Sequence, residues 1–351
     1  MTTATSIATH YEQFLRLLTS DNPDPARTSA AAAAGRDTVR ARYGERVDPS
    51  GGAQAIVLTR DEWIRNQIDL TLALGRLLTE DDVVVSAVPY ELSFIGAEVD
   101  RVVEMVGASV ISVGTSGTIC PMSRLLGLIE QYRVTALVCS AGFAAELASL
   151  AVSLGKRPED STIRTIVCAG EACSAERLDR IGTAWAARTS ALYGTPSAPT
   201  VAVACDRGAL HLCDHRLRAE VRGGPRGELL LDGVPTGEAV ELWPADRRCD
   251  CGSASRVLVP LGSTASVVRG PDGLVSALDV ERIVFGHRRL APHFACAVRD
   301  GVFHVTCAVA DRRAVDEGAL RRAIRSGIGE ALGVEAEVTV VGVQDWSTAT
   351  S

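Results

Sequence analysis

Four side chains that can bind a metal fall into a suggestive spacing in this sequence. Cys205 and His211 are separated by five residues, and Cys249 and Cys251 flank a single one. Thiolate sulfur and imidazole nitrogen are zinc ligands, and two such turns from separate strands can close a tetrahedral site. Four protein ligands leave no open position, so the site would be structural rather than catalytic. The competing reading is a set of buried thiols and a core histidine, the commoner fate of cysteine. Arg247, Arg248 and Asp250 surround the Cys-x-Cys pair, however, and so polar a turn is a poor place to hide two apolar thiols. Cys213 and His215 stand as substitute ligands should His211 point elsewhere.

Other residues able to do chemistry are fewer. Cys139, Cys168 and Cys173 fall near the ends of strand-like runs, where a nucleophilic thiol is conceivable, but no histidine is close in sequence and each reads as buried. The ten cysteines accompany no secretion-like leader, so they read as reduced thiols or metal ligands rather than disulfides. Of 36 basic side chains only Lys156 is a lysine, so any mechanism needing an ammonium group must use that one. The formal charge of -7 argues against a nucleic-acid partner. Residues 1–20 lack a basic start followed by an apolar run, and no stretch reaches the roughly 18 apolar residues that cross a bilayer. The expectation is a cytoplasmic protein without a membrane partner.

The elements that must position these residues are legible in the hydrophobic pattern. Residues 1–50, with an alanine run from Ser29 to Ala34, read as a short helix, a linker and a second helix. From Ile56, strand-like runs at Val83–Val85, Ser109–Val113, Ala136–Cys139 and Thr165–Cys168 alternate with helical patterns at Glu62–Leu78, Ile95–Val106, Met122–Tyr132, Phe143–Leu154 and Ala175–Ala187. That alternation predicts a parallel sheet covered by helices. After Tyr193 short strands with Gly and Pro turns take over through Leu261. The last ninety or so residues read as strands at Phe294–Arg299 and Val302–Val309, a helix at Glu317–Leu332 stopped by Gly333, and a strand at Glu335–Val341. The predicted fold class is α/β: a large N-terminal parallel-sheet domain over 1–262, with a β-rich subdomain at about 195–262, then a small C-terminal α+β domain over 263–351.

Short motifs in a fixed order add a family resemblance. Cys168-Ala169-Gly170-Glu171 precedes a helix, then come Ala191-Leu192-Tyr193-Gly194-Thr195, Val201 to Cys205, Leu210-His211-Leu212-Cys213-Asp214-His215, Thr236-Gly237-Glu238, Cys249-Asp250-Cys251-Gly252 and Leu261-Gly262. Upstream stands Thr59-Arg60-Asp61. Over roughly residues 50 to 345 this order resembles the phenylacetate-CoA ligase branch of the adenylate-forming enzymes. The resemblance implies ATP-driven conversion of an aryl or acyl acid to its CoA thioester, a soluble homodimer, and a nucleotide and acyl pocket around Ser140, Gly170, Glu171, Tyr193, Gly194, Thr195 and Glu238. A zinc ion at Cys205, His211, Cys249 and Cys251 would pin the β-rich subdomain to the hinge before the small domain.

The departures from that pattern fall on the residues that handle ATP. The phosphate loop is contracted to Asp48-Pro49-Ser50-Gly51-Gly52-Ala53-Gln54-Ala55, with one hydroxyl and no lysine to cradle phosphates. Ser197 stands where the family carries a magnesium-binding glutamate, and a serine offers no anionic oxygen. Glu238 replaces a ribose-binding aspartate, and the hinge reads Gly262-Ser263-Thr264-Ala265-Ser266, without its arginine and acids. The C-terminal catalytic lysine has no counterpart, since Lys156 sits in the loop Gly155-Lys156-Arg157-Pro158. Losing one preorganised charge costs on the order of a hundred- to thousandfold in rate, and here several change together.

The expectation is therefore a phenylacetate-CoA ligase-like protein with a degenerate ATP site. It would act on or bind an aryl or acyl acid, or a CoA or other acyl thioester, in secondary metabolism without its own use of ATP and magnesium. Two alternatives stay open: a non-catalytic subunit that keeps the acyl pocket beside a biosynthetic partner protein, and a working ligase with an unorthodox ATP site.

Overall fold

A computed structural model describes residues 40–47, 53–196, 198–213 and 217–350. Of the helix, linker and helix expected over residues 1–50, residues 1–39 lie outside the described residues, as do Ser197, His215 and residues 48–52 of the contracted loop expected at 48–55. Where residues 40–47 are described they form a strand instead of a helix. β1 (Arg40–Val47) pairs antiparallel with β2 (Ala53–Thr59), the chain doubling back on itself.

Thr59 ends that hairpin and caps the next helix, α1 (Arg60–Leu74), in a capping box: its hydroxyl accepts from the Glu62 N–H, and the Glu62 carboxylate accepts from the Thr59 N–H at 2.7 Å. The alternation then runs as the pattern predicts: β3 (Val83–Ala87), α2 (Ile95–Val106), β4 (Ser109–Ser112), α3 (Met122–Gln131), β5 (Ala136–Cys139), α4 (Ala141–Ser153), β6 (Thr165–Cys168) and α5 (Ala175–Trp185), followed by β7 (Arg188–Thr195), which the pattern did not single out. Ser140 and Ser174 cap α4 and α5 through their hydroxyls, a local reason for both helices to start where they do.

β8 (Ala198–Ala204), β9 (Leu210–Leu212), β10 (Ala219–Arg222), β11 (Arg226–Leu231), β12 (Val234–Leu242) and β13 (Val257–Ser263) follow. They do not build a separate sheet. All join the parallel strands in one eleven-stranded sheet of order β10-β11-β12-β13-β9-β8-β7-β6-β5-β3-β4. The direction changes at β7, which pairs parallel with β6 on one edge and antiparallel with β8 on the other. The β7–β8 connection is so tight that a Cβ on Gly194 would lie 2.1 Å from the Pro199 carbonyl oxygen. Two apolar clusters around Leu137 and Val138 fill the faces of the parallel half, and a third around Val201 and Val240 packs the antiparallel half.

A separate core follows. β14 (Val268–Gly270), β15 (Gly273–Val275), α6 (Ala277–Phe285), β16 (Leu290–Arg299), β17 (Val302–Val309), α7 (Glu317–Leu332), β18 (Ala336–Gly342) and α8 (Trp346–Thr350) build a small α+β unit around Phe303, Ile324 and Ile328. β16 and β17 pair antiparallel, whereas β17 and β18 pair parallel through the α7 crossover. The sequence pattern located α7 residue for residue, with Gly333 in the left-handed conformation closing it (φ 63°). It missed α6 and the β14–β15 hairpin.

Candidate functional site

The β13–β9 pairing brings the four spaced ligands together. Cys205 follows β8 in a turn closed by Gly208 N–H to the Cys205 carbonyl at 2.8 Å, and His211 lies on β9. Cys249 and Cys251 sit in the loop between β12 and β13, closed by Gly252 N–H to the Cys249 carbonyl at 3.1 Å. Because β9 pairs with β13 at His211↔Val257, the turn reaches over His211. All four ligand atoms lie within 4.8 Å of one another.

The geometry suits a tetrahedral ion. The sulfurs of Cys205 and Cys249 are 3.9 Å apart. Metal–sulfur bonds of about 2.3 Å in a tetrahedron place two sulfurs about 3.8 Å apart. His211 Nδ1 lies 2.9 Å from the Ser255 carbonyl oxygen. A carbonyl only accepts, so Nδ1 carries the proton and Nε2 presents its lone pair, 3.2 Å from Cys251 Sγ. The Ser253 backbone N–H points at Cys251 Sγ and holds that thiol below the ordinary cysteine range, while burial raises Cys205.

The second candidate site lies beyond the carboxyl ends of β6 and β7, where open α/β sheets receive ligands. A cavity of about 240 Å³ is lined by Gly170, Gly194, Thr195, Pro199 and, across the mouth, Leu92 to Ile95. Glu45 of β1 reaches its rim, fastened there by Glu45 N–H to the Leu92 carbonyl at 2.9 Å. Glu45 is the one charged residue lining it among the described residues, and no arginine or lysine does so. Tyr193 does not line it: its side chain is buried in the core of the antiparallel half around Val201 and Val240, where burial, reinforced by the charge of Glu238, pushes the phenol well above its ordinary pKa.

The remaining residues expected at this pocket do other work. The Ser140 hydroxyl accepts from Phe143 N–H at 3.1 Å as a helix cap. Glu171 turns away from the cavity: its carboxylate accepts from Gly142 N–H at 2.7 Å and pairs with Arg177 at 3.2 Å. Glu238, on β12, lies opposite Ser263 of β13. Cys139 is pushed up to about 12 by burial, and burial likewise raises Cys168 and Cys173, so none is poised as a thiolate. Lys156 pairs with Glu130 of α3 and does not line the cavity.

Sequence reasoning missed the cluster that fastens the small unit. Arg177, 5% exposed, pairs with Glu281 at 3.3 Å, and its Nε donates to the Pro292 carbonyl at 3.1 Å. The Glu281 carboxylate also accepts from Ser174 N–H at 2.7 Å. Burial pulls the Arg177 pKa down, yet Glu281 and then Glu171 more than offset it, so Arg177 stays charged. Beside it, His293 sits 3.3 Å from Ser149 Oγ and edge-on to Trp346, whose indole N–H donates to Glu146 at 3.3 Å. The one local signal was an arginine in the first turn of α5, too common to single out.

The eleven-stranded mixed sheet with a small α+β unit after it is the adenylate-forming ligase fold, and similar solved structures carry that architecture. The 2-hydroxyisobutyryl-CoA ligase in its postadenylation state is 14% identical, with TM-score 0.71 over 90% of this chain and 74% of that one. Benzoate CoA ligase from Burkholderia xenovorans LB400 is 15% identical, with TM-score 0.62 over 88% and 66%. The O-succinylbenzoate coenzyme A synthetase from Bacillus subtilis is 16% identical, with TM-score 0.57 over 87% and 66%. No protein-family model and no curated protein matches the sequence. Among the described residues no helix is long and apolar enough to cross a membrane.

Proposed function

We propose that this chain is a phenylacetate-CoA ligase-like protein that holds an aryl or acyl acid, or its thioester, in the cavity at Gly170, Gly194 and Thr195 without adenylating it. The observation that carries the reading is the cavity lining: apolar walls and one acidic side chain, with no cation among the described residues. A triphosphate brings several negative charges that such walls leave uncompensated, so ATP with magnesium does not fit this lining. A small aryl or acyl group does fit, because its desolvation favours apolar walls. The solved ligases that share the fold act on acids of that size, 2-hydroxyisobutyrate and benzoate among them.

Two further assignments belong to this reading. Cys205, His211, Cys249 and Cys251 hold a structural zinc, supported by the 3.9 Å sulfur spacing and the His211 tautomer. The boundary between the two domains falls at Gly262, supported by its left-handed backbone (φ 94°) and by the separate core that begins after it.

The test is acid-dependent exchange of pyrophosphate into ATP, run across a panel of aryl and acyl acids, with calorimetric titration of phenylacetate and phenylacetyl-CoA alongside. No exchange is expected with any acid, and one of the two ligands is expected to bind. Exchange that disappears in Thr195→Val would restore a working ligase; binding of neither ligand would remove the acyl-site reading.

A further inference from the structure

Cations, which are absent among the described residues lining the pocket at Thr195, are abundant in a second cavity that shares no described lining residue with it. This cleft, of about 490 Å³, lies between the first turn of α5, the Cys205–Gly208 turn, the loop from Trp243 to Asp250 and α6. Arg207, Arg247, Arg248 and Arg282 line it against two carboxylates, Glu176 and Asp250. In a chain of formal charge -7, four arginines around one concavity concentrate positive potential where the molecule as a whole is acidic.

These arginines have donors to spare. Arg207 is exposed and makes no ion pair among the described residues. Arg247 rests 3.5 Å over the Trp243 ring, which fixes its plane. Arg248 gives one hydrogen bond to the Ala254 carbonyl, at 2.8 Å, and Arg282 one to Asp279, at 3.1 Å. A guanidinium carries five N–H donors in a fork that matches phosphate, so most remain available. The cleft also includes Ala175 and Glu176 in the first helical turn of α5, where backbone N–H groups add to the positive end of the helix.

We propose that this cleft is a binding site for a phosphate-bearing organic ligand, separate from the acyl pocket. Its volume falls within the range of about 300–1,000 Å³ typical of small-molecule sites, far more than a bare phosphate ion fills. Trp243 offers an apolar surface beside the guanidinium groups, suited to the organic part of such a ligand. The site spans both structural units, since Arg282 comes from α6 and the other three arginines from the large sheet's loops. It stands on the arginines alone and does not depend on a metal at the neighbouring cysteines.

The experiment titrates the full chain with inorganic phosphate, ADP and CoA by calorimetry, at low salt and again in about 0.5 M salt. Arginine-dependent binding is expected, weakened at high salt. Arg207→Ser and Arg247→Ser are each expected to lower affinity about tenfold, the worth of a charge-assisted hydrogen bond. Both side chains are exposed, so unchanged circular dichroism and melting check that the fold is intact. Preference for ADP over phosphate identifies a nucleotide, and preference for CoA over ADP the 3′-phosphate and pantetheine arm that ADP lacks; equal binding of all three marks a free-anion site and overturns the organic ligand. No heat from any of the three at millimolar concentration would overturn the proposal. So would an Arg207→Ser/Arg248→Ser variant that binds as the parent does. Loss of binding in Thr195→Val with the arginine variants unaffected places the ligand in the acyl pocket and also overturns it.

Discussion

Arg177→Ala tests whether the small C-terminal unit is fastened by a buried ion pair. Arg177 is 5% exposed and Glu281 2%, 3.3 Å apart, so removing the arginine strands a carboxylate where water cannot reach it. Burial already raises the Glu281 pKa, with the charge of Arg177 and the Ser174 N–H opposing it. Breaking a buried pair from one side typically costs about 3–5 kcal/mol. The Nε bond to the Pro292 carbonyl is lost as well, a further contribution of about 1 kcal/mol that need not add fully. Against a total stability of about 5–15 kcal/mol, that is enough to release the small unit before the large sheet unfolds. Urea unfolding followed by far-ultraviolet circular dichroism should therefore change from one transition toward two, with the residue 263–267 connection newly sensitive to protease. Replacing both partners, in Arg177→Met with Glu281→Met, should recover most of the loss, because no charge is then stranded. A cost below about 1 kcal/mol for Arg177→Ala, or a double variant as damaged as the single one, would refute the stranded-charge argument.

Three other outcomes are expected. Glu98 is fully buried and its pKa is raised to about 8, chiefly by burial, with Arg42 and Arg101 opposing. The folded protein thus holds a proton that the unfolded chain releases near pH 4.5, so stability should fall as pH rises from about 4.5 through 8, by roughly 5 kcal/mol at most. Glu98→Gln should flatten that slope and be the more stable form at pH 8; equal slopes in denaturant titrations would count against it. Gly194→Ala, whose Cβ would meet the Pro199 carbonyl oxygen at 2.1 Å, should lose about 2 kcal/mol or more, whereas Gly127→Ala, mid-helix with open space around it, should gain about 0.5–1 kcal/mol; melting of the pair checks both. Elemental analysis should find one zinc per chain, reduced in Cys249→Ser, and chelation should lower the melting temperature by several degrees; unchanged metal content in the variant would remove the cluster's role.

The elements were legible in the sequence because their causes are local. Alternation of apolar runs with helical periodicity located β3 to β6 and the helices α1 to α5 around them, and Glu317–Leu332 with Gly333 behind it read directly as a capped helix. The order of short motifs pointed to the fold, and the cysteine and histidine spacing pointed to a metal-binding set. Other features depended on sheet order, which no window of sequence contains. Pairing of β9 with β13 carries Cys251 to within 3.2 Å of His211 across 40 residues. Docking of α6 against α5 joins Arg177 to Glu281 across 104 residues. The antiparallel strands joined the parallel sheet because β7 had a free edge once β6 was paired. Glu171 illustrates the limit most directly: its motif suggests a pocket residue, but the Gly142 N–H and Arg177 take its carboxylate. Local propensity sets where a chain bends and coils; which distant side chains then meet follows from packing summed over the whole fold.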